Sequence, residues 1–147
     1  MTTIHTIGYE RTGFPAFLAA LQDADIETVI DVRELPNSRR AGFSKSMLKA
    51  NLATAGIEYV HLKALGTPKA GRTAHRSGDM AGFWRIVDDA LDRPEARLAL
   101  EHAAMLARSK CACLMCFEHD WRECHRASVC TLLKAEHDIS ATHLAPA

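Results

Sequence analysis

Residues 111–117, Cys111-Ala112-Cys113-Leu114-Met115-Cys116-Phe117, form a run with no charged or strongly polar side chain at either odd or even positions. A strand with one wet face alternates apolar and polar residues, so this run fits a strand covered on both sides. Such strands belong to parallel sheets sandwiched between helices. The run therefore predicts a central strand, and the rest of the chain has to supply its neighbours and its two covers.

Those parts can be read off. Thr3–Gly8, Thr28–Arg33, Ile57–Leu62 and Ile139–Leu144 are short, largely β-branched segments that predict four more strands. Gly13 and Pro15 suit a helix start, and Phe14, Phe17, Leu18 and Leu21 give it an apolar face. Ser44 is expected to cap a helix with Met47, Leu48 and Leu52 inward and Gly56 at its end. Asp79 caps a helix through Phe83, Ile86, Val87, Ala90 and Leu91. After Pro94, another helix carries Leu98, His102, Met105 and Leu106, and Ala127 to Ala135 form a last one over Val129, Leu132 and Leu133. Lys63–Asp79, with three glycines, reads as a long loop of functional or mobile character. The alternation predicts one α/β domain: a mostly parallel five-stranded sheet with helices on both faces.

With 147 residues, the chain is long enough to bury a core of that kind. No apolar run approaches the roughly 20 residues of a membrane span, and no apolar leader opens the chain, so a cytoplasmic protein without a membrane partner is expected. The five cysteines are too sparse for a secreted disulfide framework and read as thiols. The net charge is zero but segregated. Arg33 to Arg76 holds nine Lys/Arg against two acids, a net +7 balanced by −7 elsewhere. Segregation on this scale favours an anionic partner, either a small molecule or nucleic acid. The basic stretch Lys63 to Arg76 is a candidate arm over a large anion.

Ligands of open parallel sheets bind beyond the carboxyl ends of the strands. Those ends carry Gly8-Tyr9-Glu10-Arg11, Asp31-Val32-Arg33, His61 and Cys116-Phe117-Glu118. Thr6-Ile7-Gly8-Tyr9, Asp31-Val32-Arg33 with Pro36 and Ser38-Arg39, Phe43-Ser44-Lys45, Gly56-Ile57 with Tyr59 and His61-Leu62, Leu65-Gly66, Cys116 with Glu118, and Cys124-His125-Arg126 together resemble the domain-of-unknown-function family 488. The likeness runs through nearly the whole chain. Phe117 stands where the family usually has alanine, and a proline common in the following loop is missing. The resemblance implies a single α/β domain with its site at these motif positions, and no established reaction.

The chemistry has to come from the residues. Cys124-His125-Arg126 opens a helix, where unpaired backbone N–H groups favour a phosphate or a thiolate. Arg33, Arg39, Lys45 and Arg126, with Ser38 and Ser44, are the expected phosphate contacts, joined by His61 at the site, and for Arg33 a salt bridge to Asp31 or Glu118 is the equal alternative. Tyr9 and Trp121 are candidate platforms for a base. Asp31, Glu118 and His125 are the candidate acids and bases for a hydrolytic reaction. The favoured reading is a binder of a phosphate-bearing ligand, a nucleotide or nucleic acid, with hydrolysis as its chemistry. Two alternatives stand beside it. One is a thiol or sulfur-transfer enzyme using Cys116 or Cys124, since Asp31-Val32-Arg33-Glu34 looks like the strand end of rhodanese-like sulfurtransferases. The other is a non-catalytic nucleic-acid-binding module. Cys116, Glu118, Cys124 and His125 are all zinc-ligand types. Neighbouring Cys124 and His125 are not expected to reach one ion, so no cofactor is expected, zinc being the one candidate.

Overall fold

The computed structural model describes residues 2–146. The strands are β1 (Thr2–Gly8), β2 (Thr28–Asp31), β3 (Glu58–His61), β4 (Ala112–Cys116) and β5 (Ile139–His143). They form one sheet in the order β3-β2-β4-β1-β5, with every pairing parallel. The uncharged run is the middle strand, and all five residues of β4 are buried. Its alternate side chains feed two separate cores. Cys113 and Met115 join Phe17, Leu21, Val29, Leu48 and Leu52 on one face. Ala112, Leu114 and Cys116 join Ile30, Phe83, Val87, Leu100, Val129 and Leu133 on the other. Each fully buried Leu, Ile or Phe contributes about 1.5–3 kcal/mol, so neither face can be left open.

Six helices supply the covers: α1 (Phe14–Asp23), α2 (Lys45–Thr54), α3 (Lys69–Arg76), α4 (Met80–Leu91), α5 (Pro94–Ser109) and α6 (Arg126–His137). The first two lie on one face and the other four on the opposite face. After β1 and after β2 the chain crosses toward the β3 edge over the first face. After β4 it crosses toward β5 over the second. The loops leaving the neighbouring strands β2 and β4 therefore diverge, and a crevice opens between them at the carboxyl edge, as it does in doubly wound sheets. No helix among the described residues is long and apolar enough to cross a membrane.

Four local expectations change. Lys63–Asp79 is not an unstructured loop: Lys63–Leu65 make a 3₁₀ turn and Lys69–Arg76 make α3. The glycine that suggested flexibility there is a packing device, because a Cβ on Gly71 would sit 2.7 Å from Thr67 Cγ2 and 3.2 Å from Ile86 Cγ2. Ser44 does occupy the N-cap position of α2, yet its side chain makes no capping hydrogen bond. Asp79 does cap its helix, accepting from the Gly82 N–H at 3.0 Å. Helix α5 buries its alanine stripe, Ala96, Ala103, Ala104 and Ala107, with Leu100, while Leu98 and Met105 are 67% and 59% exposed. Met47 on α2 is exposed as well. Small residues let α5 approach the sheet closely, and the larger apolar side chains turn outward.

Leu98→Glu and Met105→Lys are accordingly expected to change the unfolding free energy by no more than about 0.5 kcal/mol each, since both replacements are good helix formers at exposed positions. Urea denaturation measures this. A loss above roughly 1 kcal/mol at either site would mean that the face is buried after all.

Candidate functional site

The crevice is a cleft of about 460 Å³. The carboxyl ends of β1, β2 and β4 and the segments after them contribute Tyr9 and Glu10, Arg33 to Leu35 with Asn37 and Ser38, and Cys116 to Glu118, and α3 adds Arg72, His75 and Arg76. Strand β1 and the loop after β4 stay together beyond the sheet. Tyr9 N–H donates to Cys116 O at 3.3 Å and Glu10 N–H to Phe117 O at 2.8 Å.

The floor is built from two chain segments. Cys116 ends β4, with its Sγ 3.7 Å from Glu118 Oε2. Burial raises the Glu118 carboxyl above the ordinary carboxylate range. Cys124 and His125 are both buried just before α6. The Cys124 backbone is extended (φ −111°, ψ 148°) and that of His125 is already helical (φ −57°, ψ −15°). This change of direction sends two adjacent side chains to the same place, contrary to the expectation that they diverge. His125 Nδ1 is 3.6 Å from Cys124 Sγ, and His125 Nε2 is 2.8 Å from the carbonyl oxygen of Val32. Burial drives the His125 pKa down to about 4, so the ring is neutral at physiological pH. Cys124 Sγ accepts the Arg126 backbone N–H at 3.4 Å. The sulfurs of Cys116 and Cys124 touch, while their Cα atoms stand 7.7 Å apart. Disulfides in proteins span about 4.4–6.8 Å between Cα atoms, so this backbone is too wide for a relaxed bridge. The ligand atoms of Cys116, Cys124 and His125 all lie within 4.8 Å of one another.

Several of the expected contacts are directed elsewhere. Asp31 is fully buried and lies outside the cleft lining: Arg33 Nε and Nη2 donate to it at 2.9 and 2.7 Å, and the Tyr59 hydroxyl at 2.6 Å. Arg33 borders the cleft but spends its remaining donors on Phe43 O at 2.8 Å and Tyr9 Oη at 3.2 Å. Arg126, 1% exposed, lies outside the cleft lining. Its Nη2 donates to Glu118 O at 2.7 Å and its Nη1 lies 3.5 Å from Thr6 Oγ1, so it clamps the loop that carries Glu118. Arg39 and Lys45 are exposed and, like Ser44 and His61, do not line the cleft. His61 Nε2 pairs with Arg33 O at 2.7 Å. Tyr9 is buried, stacked on Phe43 at 4.5 Å, and Trp121 is stacked on His143 at 3.9 Å with Arg122 over its ring. Trp121 does not line the cleft.

Other residues take these places. Phe117, 44% exposed, lies edge-on to Tyr9 and lines the cleft. Arg72 reaches the cleft but is paired with Glu34 at 2.7 Å. Arg76, on the same wall, is exposed, forms no ion pair among the described residues, and contacts Thr73 Oγ1 at 3.4 Å. The sequence did mark this stretch, through the positive charge of Lys63 to Arg76, although the helix that aims it at the cleft was not legible.

A family model described as a domain of unknown function, DUF488, matches residues 14–133. No curated protein and no solved structure matches the chain.

Proposed function

Since this chain belongs to the DUF488 family, whose function is unknown, we propose from its cleft that it binds a small phosphate-bearing ligand such as a nucleotide and hydrolyses it. The observation that carries this reading is the placement, in one cleft, of an arginine with no ion pair among the described residues, Arg76, and a carboxyl group at the floor, Glu118. The cation attracts the phosphate, and the exposed Phe117 ring offers the flat apolar surface that a base requires. In hydrolysis, a water oxygen bonds to phosphorus and its proton passes to Glu118. The bond from phosphorus to the leaving oxygen breaks, and Glu118 returns the proton to that oxygen. A small ligand is favoured over nucleic acid because Arg39, Lys45 and Lys49 lie outside the cleft lining.

Arg76→Ala is expected to weaken binding of a nucleoside 5′-diphosphate about tenfold, the loss of one charge-assisted contact. It should also flatten the fall in affinity between 50 and 200 mM salt. Titration calorimetry reads both. Equal affinity for the two proteins would remove Arg76 from the site.

A second reading, thiol or sulfur-transfer chemistry, is favoured by one observation, the meeting of Cys116 and Cys124 with a backbone N–H on the Cys124 sulfur. A hydrogen bond of that kind at a helix start stabilises a thiolate. Rapid alkylation of Cys124 or Cys116 at neutral pH supports it, and labelling no faster than a model thiol counts against it.

A further inference from the structure

We infer that Cys116, Cys124 and His125 form a binding site for a thiophilic divalent metal ion, zinc above all, with its open coordination position toward the cleft. The inference deepens the hydrolytic reading, since it concerns the same floor.

The Val32 carbonyl oxygen can only accept, so the proton of a neutral His125 ring sits on Nε2, 2.8 Å away. Nδ1 is thereby left with its lone pair, aimed at Cys124 Sγ 3.6 Å away. Metal-bound histidines are oriented in this way, with the far ring nitrogen donating to a backbone carbonyl or a carboxylate. A zinc ion with bonds of about 2.3 Å to sulfur and 2.0–2.1 Å to nitrogen holds its tetrahedral ligands roughly 3.5–3.8 Å apart. The Cys124–His125 separation already falls there, and the third ligand atom lies within 4.8 Å of both.

The cysteines point the same way. Their Cα separation of 7.7 Å, too wide for a direct bridge, leaves room for an atom between the sulfurs once they rotate apart. Charge fits as well. Two thiolates, a neutral imidazole and a divalent cation sum to zero, which suits a site where every ligand is buried. Soft sulfur donors beside one imidazole select zinc over magnesium or calcium.

Three protein ligands with a fourth position for water distinguish catalytic zinc sites from closed structural ones. Cys116 and His125 both border the cleft, and so does Glu118, whose carboxylate is 3.7 Å from Cys116 Sγ. The fourth position thus opens where a ligand would lie, with Glu118 beside it.

The test is metal content and cobalt uptake. The chain, purified without chelator, is expected to carry about one zinc per molecule by plasma mass spectrometry. After zinc removal it should bind Co²⁺ with the intense thiolate-to-cobalt absorption. Cys124→Ser and His125→Ala should each lower Co²⁺ affinity at least 100-fold. Cys111→Ser, which alters a thiol outside the cluster, should leave it unchanged. Because a cluster variant can also fail by misfolding, the wild-type spectrum decides independently. Zinc below a tenth of stoichiometry together with a flat cobalt titration overturns the inference. Nucleotide titration of the zinc-free protein keeps the two proposals apart, since binding governed by Arg76 survives there even if no metal is ever held.

Discussion

Asp31→Ala is expected to lower the stability of this protein by about 3–5 kcal/mol, the cost of breaking a buried ion pair from one side. The melting temperature should fall by on the order of 10 °C for a chain of this size. Asp31 is fully buried and Arg33 is 7% exposed, so the guanidinium left behind is poorly solvated. The carboxylate also accepts from the Tyr59 hydroxyl at 2.6 Å and from the Arg33 backbone N–H at 3.1 Å, and both donors would be stranded. Through Arg33 the pair reaches Phe43 O and Tyr9 Oη, so it ties β2 to the segment before α2 and to the end of β1. Removing both charges is expected to be milder than removing one, and Asp31→Leu with Arg33→Met should recover more than half of the loss. Guanidinium denaturation of the two single variants and the double variant measures the cycle. A single-variant loss under about 1 kcal/mol would show that Arg33 finds another partner and that the pair is not the brace described.

The outcome of that experiment bears on how the site was read from sequence. Asp31-Val32-Arg33 at a strand end reads equally as a reactive acid with a phosphate contact and as an ion pair, and only the folded chain shows Arg33 Nε and Nη2 turned straight back onto Asp31. Arg126 misled for the same reason. Its place at a helix start was legible, but its inward rotation to the Glu118 carbonyl was not. Features that depend on burial pattern were easier. The middle position of β4 follows from its two apolar faces, and the parallel pairing, though not the strand order, follows from helices alternating with short strands. Patterns failed where small residues do the packing: the alanine stripe of α5 and Gly71 of α3 carry little hydrophobic signal. As a result, the apolar pattern predicts the wrong face for α5 and gives no sign of α3. The missed helix is the one that brings Arg76 to the cleft. Adjacent Cys124 and His125 converge because of a backbone change between two residues, which spacing arguments do not capture.

Gly8→Ala is expected to disable the cleft while leaving the sheet folded. Gly8 ends β1 in register with Cys116 of β4. Glycine there first suggests a sharp turn, but the structure gives a different reason, since its φ is not among the positive ones. A Cβ would stand 1.8 Å from Glu118 O, 2.6 Å from Glu118 C and 3.2 Å from His119 Cα. All three are backbone or Cα positions, so no side-chain rotation relieves the clash and the loop itself has to move. That Glu118 carbonyl is the one Arg126 holds at 2.7 Å, so the displacement also loosens the clamp on the loop bearing Glu118. Overpacking of this severity costs about 3 kcal/mol or more. Affinity for a nucleoside diphosphate should fall at least tenfold, with the far-ultraviolet dichroism unchanged. Gly56→Ala is the matching control. Gly56 has φ +77° and nothing within 4 Å of a built Cβ, so its cost is the roughly 1–2 kcal/mol of a left-handed alanine, and the cleft keeps its affinity. Should Gly8→Ala bind as the wild type does while Gly56→Ala loses more stability, the close approach of β1 to the Glu118 loop would not be what shapes the site.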